Sequence, residues 1–184
     1  MRIIGGLARG TNLYTLDGLD TRPTLDRVRE SLFNIIQNDI KDSVLLDLFA
    51  GSGAVGLEAI SRGAKKAVLC DKNKKAIEII NKNVKKLRAE EKVQILCIDY
   101  ENYLKTSQEK FDFIYLDPPY KTKCISKSVQ LIYTENLLTE KGVIIAETDE
   151  LEKVINEINE MKLSINIYDT RKYGRARLIF MRKE

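Results

Sequence analysis

Val44-Leu45-Leu46-Asp47-Leu48-Phe49-Ala50-Gly51-Ser52-Gly53-Ala54-Val55-Gly56 is the stretch around which the rest of the chain arranges itself. The apolar run Val44 to Leu46 reads as a buried strand with Asp47 at its end, and Gly51, Ser52 and Gly53 form a tight turn. Ala54 to Arg62 then has the composition of a helix. Strand, glycine turn and helix together bring backbone N–H groups and a helix N-terminus beside a nucleotide-like ligand. Gly51, Gly53 and Gly56 also satisfy the dinucleotide pattern G-x-G-x-x-G, so the turn by itself leaves the class of cofactor open.

The chain has 184 residues, enough for one domain with a substantial core and a small extension. Hydrophobic residues make up 43% and charged residues 32%, a balance that excludes a disordered chain. No apolar stretch approaches the roughly 20 residues of a membrane span, and no basic-then-apolar leader is expected. Cys70, Cys97 and Cys124 are odd in number, widely spaced and without a C-x-x-C pair, which reads as free core thiols in a reducing cytoplasm. Histidine is absent, removing the usual general base and the usual zinc ligand, so no metal is expected. The net charge of +4 is modest but unevenly placed. Five of eleven arginines lie near the N-terminus (Arg2, Arg9, Arg22, Arg27, Arg29) and four near the C-terminus (Arg171, Arg175, Arg177, Arg182), whereas lysines dominate the middle. Arginine forks bind phosphate and stack on bases, so nucleic-acid contact is expected at the two ends.

In chain order, Met1 to Leu16 suits a small β-hairpin carrying Arg2 and Arg9 outward. Asp20 to Pro23 is a break, after which Thr24 is placed to cap a helix with Leu25, Val28, Leu32, Ile35 and Ile36 on its apolar face. Further strands are expected at Lys66–Cys70, Val93–Ile98, Phe111–Leu116 and Gly142–Ala146, alternating with helices at 73–87, 99–104, 125–133 and 151–161. Leu163–Tyr168 and Arg177–Met181 read as two closing strands joined by a basic turn, Arg171 to Arg175. Alternation at this spacing implies an α/β fold with a mainly parallel, doubly wound sheet. The closing strands, with no helix between them, pair as an antiparallel hairpin.

Three successive strands end in acids, Asp47, Asp71 and Asp99, which would converge on the crevice beyond the strand ends. Asp71, twenty residues after Gly51, is suited to ribose hydroxyls in a dinucleotide or in S-adenosylmethionine. Two features decide between these. The run Asp47-x-Phe49-x-Gly51-x-Gly53 resembles motif I of class I methyltransferases. The fourth strand runs into Asp117-Pro118-Pro119-Tyr120, which has no role in a dehydrogenase.

That tetrapeptide resembles the D-P-P-Y motif of enzymes that methylate exocyclic amino groups of bases. Such an amine conjugates its lone pair into the ring and is planar and weakly nucleophilic. The Asp117 carboxylate and the Pro118 carbonyl can accept its two N–H bonds and draw the nitrogen toward tetrahedral geometry. Pro119 stiffens the turn, and Tyr120 offers a ring face to a flipped base. Proton loss follows methyl attack, so the missing histidine is no obstacle. Lys121 and Lys123 are placed to neutralise phosphate near the target, and Tyr173 with Arg175 to touch RNA from a hairpin tip.

Across nearly the whole chain, the sequence is similar to the RsmD-like bacterial 16S rRNA guanine-N2 methyltransferases, within the class I S-adenosylmethionine-dependent methyltransferases. The resemblance is carried by Met1-Arg2-Ile3-Ile4-Gly5-Gly6, Arg9-Gly10, Arg22-Pro23-Thr24, Asp26-Arg27-Val28-Arg29-Glu30, Leu46 to Gly53 and Leu116 to Tyr120. It implies a Rossmann-like, seven-stranded, mostly parallel sheet with an N-terminal hairpin and helix (1–40) packed on a methyltransferase domain (41–184). It implies S-adenosylmethionine as donor, with S-adenosylhomocysteine as product, and N2 of one specific guanine of 16S rRNA in the small subunit as acceptor. The protein would act in the cytoplasm as a monomer without a membrane partner. By the same carry-over, Asp47, Gly51 and Gly53 hold the methionine end, Asp71 the ribose and Asp99 the adenine, and Phe49 is counted with them as cofactor-binding. Asp117 and Pro118 hold the guanine amine and, with Pro119 and Tyr120, form the expected catalytic set; from the placement of the basic residues, Arg2, Arg9, Arg22, Arg27, Arg29, Lys121 and Arg175 are expected to meet RNA. Thr11-Asn12 follows Arg9-Gly10 where relatives commonly carry a basic residue, and Asp71 stands where glutamate is usual. The alternative readings are a DNA or other RNA base amino-methyltransferase, a protein glutamine methyltransferase (which would carry Asn-Pro-Pro-Tyr), and a non-catalytic RNA-binding module.

Overall fold

Near-continuous burial along the short central strands, whose side chains face both ways, means that the sheet is covered on both faces. The computed structural model describes residues 1–16, 23–118 and 123–184. Its elements are α1 (Pro23–Ile35), β1 (Val44–Asp47), α2 (Ala54–Ser61), β2 (Lys66–Asp71), α3 (Lys74–Leu87), β3 (Val93–Cys97) and α4 (Tyr100–Thr106). Then come β4 (Phe111–Leu116), α5 (Cys124–Thr134), β5 (Leu138–Thr148), α6 (Leu151–Glu160), β6 (Ile165–Tyr173) and β7 (Ala176–Lys183). The seven strands form one sheet in the order β3-β2-β1-β4-β5-β7-β6. β1 to β5 are parallel neighbours, and β7 runs antiparallel to both β5 and β6. The doubly wound α/β fold with an antiparallel closing hairpin is therefore as expected.

Side chains alternate between the two faces of the sheet. Leu46, Val68, Ile114 and Leu116 point to one face and pack with Leu104, Ile125, Val129, Val154 and Ile158 of α4, α5 and α6. Leu45, Phe113, Tyr115 and Ile145 point to the other and meet Val28, Leu32, Phe33 and Ile36 of the α1 region. Ala67 and Leu69 on that same face meet Leu57, Ile80 and Val84 of α2 and α3, together with Ile3 and Leu13 of the N-terminal arm. Asp47 and Asp71 belong to this second face, the one covered by α1, α2 and α3.

Several local expectations are corrected. α1 begins at Pro23, so Thr24 lies within the first turn and not before it, as suits a proline whose missing N–H would have no partner there. Phe33 is buried in the place expected for Ile35, which is 37% exposed. β5 starts four residues early, and its register jumps from Phe111↔Leu138 to Phe113↔Val143, absorbing three additional residues. The basic turn shrinks to Gly174-Arg175, because pairing runs up to Tyr173↔Ala176 and leaves Arg171 inside β6. Cys70 is a buried thiol, but Cys97 is exposed and outside the core. Among the described residues, no helix is long and apolar enough to cross a membrane.

Candidate active site

Gly51 and Gly53 adopt positive φ (55° and 78°), which lets the chain reverse between β1 and α2 within three residues. A Cβ on Gly51 would meet nothing within 4 Å, so the turn opens onto free space. Gly56 has another reason: a Cβ there would lie 2.1 Å from Leu69 Cδ2, so its absence lets α2 press onto β2. Its N–H, one of the donors left over in the first turn of a helix, bonds the carboxylate of Asp47, as does the N–H of Phe49. Asp47 is 2% exposed, and burial, with Asp71 nearby, pushes its pKa up to about 7.

Asp71 closes the turn from the next strand. Its Oδ2 accepts from Gly51 N at 2.9 Å and its Oδ1 from Asn73 N at 2.8 Å, leaving a second lone pair on each oxygen. Asp99 caps α4 by accepting from Glu101 N at 3.0 Å. The half-buried ring of Phe49 packs against Tyr100 at 5.2 Å between centroids, giving the strand ends an aromatic wall. The expected cofactor residues thus gather at the carboxyl ends of β1, β2 and β3.

Asp117 and the buried Pro118 directly follow β4, the neighbour of β1. Asp47 pairs in register with Tyr115, and the two-residue repeat then puts Asp117 on the same face. Leu116 pairs with Ala146, so Glu147 of β5 stands level with Asp117 on that face. Glu147 is 3% exposed, and its Oε2 accepts from Tyr115 Oη at 2.6 Å. Burial first, then Glu147 and Asp47, raises the pKa of Asp117 far above the carboxylate range. Burial likewise raises Glu147, against the pull of the Tyr115 hydroxyl. Among the described residues, no ion pair involves Asp47, Asp117 or Glu147. Nor do the described residues hold three or more potential metal ligands arranged around an ion. Sequence reasoning misses Glu147 and Tyr115. A cue exists: Glu147 follows the apolar run Val143 to Ala146 just as Asp47 follows its own, but it sits in the polar stretch Glu147 to Glu150, which reads as a loop.

Of the expected RNA contacts, Arg2, Arg9, Arg27 and Arg175 are exposed. Arg175 lies at the β6–β7 tip, and Thr148↔Arg177 pairing puts that tip at the same sheet end as Asp117. Arg29 is a correction: at 5% exposure it donates through Nη2 to the Arg2 carbonyl and to Asp26 and lies 3.7 Å from Glu58, so its guanidinium is turned into the protein and not toward a surface ligand. Arg22, Pro119, Tyr120 and Lys121 lie outside the described residues.

The N-terminal arm pairs with itself through Arg2↔Asn12 and is bolted to α2 and α3. Glu58 of α2, fully buried, accepts from Ile4 N and Gly5 N, each at 2.7 Å, and from Arg62 Nε at 2.8 Å. Asn83 of α3, also fully buried, accepts from Tyr14 N at 2.7 Å and donates to Tyr14 O and to Ser52 O of the glycine turn.

Similarity to known proteins agrees with this geometry. The Ribosomal RNA small subunit methyltransferase D of Haemophilus influenzae is 36% identical over 162 residues, covering 86% of this chain and 84% of that protein. Its Escherichia coli K12 namesake is 34% identical over 149 residues, covering 81% and 75%. The solved structure of yhhF from Escherichia coli superposes with a TM-score of 0.85 at 28% identity, covering 100% of this chain and 98% of that one. The family described as Conserved hypothetical protein 95 matches residues 1–182, and the chain belongs to that family as an RsmD-like methyltransferase.

Proposed function

We propose that the chain transfers a methyl group from S-adenosylmethionine to the exocyclic N2 amine of one specific guanine in 16S rRNA. The observation that carries this reading is the proximity of the glycine turn after β1 and Asp117-Pro118 after β4, on adjacent strands and on one sheet face. The site suits the cofactor: the turn is open at Gly51, and the carboxylates beside it have no ion-pair partner among the described residues. A ligand bearing an ammonium and a sulfonium supplies that charge. When bound, S-adenosylmethionine provides an electrophilic methyl group. Asp47 and the turn receive the methionine end, Phe49 lines the site, Asp71 faces the ribose and Asp99 the adenine. The Asp117 carboxylate and Pro118 carbonyl accept the two amine hydrogens and fix the nitrogen with its lone pair toward the methyl. In its ionised form, which donation by the amine hydrogens favours, Asp117 then accepts the proton that the methylated nitrogen gives up. Pro119 and Tyr120 complete the base pocket. Residues 1–40, with Lys121 and Arg175, meet the RNA of the assembled or assembling small subunit, and the protein works as a cytoplasmic monomer without a metal.

A transfer assay tests this. Labelled S-adenosylmethionine and small subunits from a strain lacking the enzyme should yield label on guanine N2, and Asp117→Ala should abolish turnover while cofactor binding persists. Label confined to DNA or to protein overturns the proposal.

A further inference from the structure

Glu147 has no task in the reaction as described. A carboxylate with 3% exposure, and no ion pair among the described residues, is costly to keep unless a donor reaches it. Tyr115 Oη occupies Oε2 and fixes the direction of the group. In-register pairing of β4 and β5 sets Glu147 beside Asp117 on the same face, one strand spacing of about 4.8 Å away. When two donors reach them and favour their ionised forms, two carboxylates side by side form an acceptor–acceptor edge.

Among the bases, guanine matches such an edge best. Its N1–H and N2 amine are adjacent donors, whereas adenine and cytosine place a ring-nitrogen acceptor next to their amine. A base flipped out of its helix is read along this Watson–Crick edge. We propose that Glu147 selects guanine: its carboxylate accepts the N1–H of the target base while Asp117 and the Pro118 carbonyl take the N2 amine. This rests on the guanine-N2 reading above and adds to it a residue for base choice. A ring nitrogen with a lone pair would face the Glu147 oxygen without a proton between them, and a site built to bond a donor strongly rejects an analogue lacking it.

The test uses small subunits reconstituted with 16S rRNA that carries either guanine or 2-aminopurine at the target position. 2-Aminopurine keeps the N2 amine but has no hydrogen on N1. The expected kcat/KM of the wild-type enzyme on 2-aminopurine is about 100-fold or more below that on guanine. In Glu147→Gln the Tyr115 hydroxyl donates to the amide oxygen, which turns the NH2 group toward the base. That amide suits the N1 lone pair of 2-aminopurine and opposes the N1–H of guanine, so the preference should collapse by about two orders of magnitude or invert. Cofactor binding and the thermal midpoint of the variant report that it has folded. Equal losses on both substrates would make Glu147 a structural acid and overturn the proposal. So would a wild-type enzyme that methylates the two bases within about threefold, a result that needs no variant. Failure of the wild type to label guanine in small subunits counts instead against the function proposed above.

Discussion

Among the described residues, the buried acids lie in two places, one of which also holds the half-buried Asp117, and they are treated in opposite ways. Glu58 is enclosed by donors from its own chain: two backbone N–H groups of the arm, the Arg62 guanidinium, and Arg29 at 3.7 Å. Asp47, Asp117 and Glu147 lie at the ends of neighbouring strands with no cation of the described chain beside them, and burial raises all three pKa values. A buried carboxylate supplied with internal donors is a fastening. One left without a cation is a charge that a ligand can balance.

Removing the acid separates the two cases. Glu58→Ala should cost about 3–5 kcal/mol in urea denaturation, because it takes the acceptor from two backbone N–H groups and from the Arg62 guanidinium and leaves Arg29 one counter-charge fewer. A loss below about 1 kcal/mol would mean that the arm is held elsewhere.

The strand-end acids should show their cost in the pH dependence of the ligand-free protein. The pKa of Asp47 rises from 3.8 in the unfolded reference to about 7, so between those values the folded state retains a proton that the unfolded state has released. Stability therefore falls as pH rises from about 4 to about 7, by up to about 4 kcal/mol from this group, and levels off above. Asp117 and Glu147 act in the same direction. Thermal melts across that range should show a shallower fall in Asp47→Asn; an unchanged slope would assign the effect to other groups.

A cationic cofactor favours the ionised form of Asp47. Its dissociation constant should tighten about tenfold between pH 6 and pH 8, with proton uptake by the buffer seen in calorimetry. A flat profile would remove Asp47 from the cofactor's charge balance. The smallest effect is expected at the surface. Arg9→Ala should weaken small-subunit binding a few-fold and reduce the salt slope by about one, with the melting midpoint unchanged.

What the chain discloses in advance is what depends on near neighbours. Strands, helices and the glycine turn follow from local periodicity. Asp47, Asp71 and Asp99 are recognisable because each follows an apolar run. Gly56, five residues after Gly51, fits a dinucleotide pattern by spacing alone, and only the Leu69 contact shows that it serves packing. Arg29 reads as a surface arginine because its partners are remote in sequence: Glu58 lies 29 residues on and the Arg2 carbonyl 27 residues back. The early start of β5 is hidden because Thr139 to Lys141 are polar and at the strand's exposed end. Glu147 is hidden among the acids of an apparent loop, although pairing with β7 carries the strand through it to Thr148.

Asn83 has a consequence for the way the molecule opens. One carboxamide bonds both backbone groups of Tyr14 and also the Ser52 carbonyl, so the end of the arm and the glycine turn are tied to the same side chain. In native-state hydrogen exchange, the amides of Tyr14 and the turn should therefore belong to one cooperative opening unit, lost together in Asn83→Ala. The N-terminal arm and the glycine turn after β1, more than thirty residues apart, would breathe with a single clock.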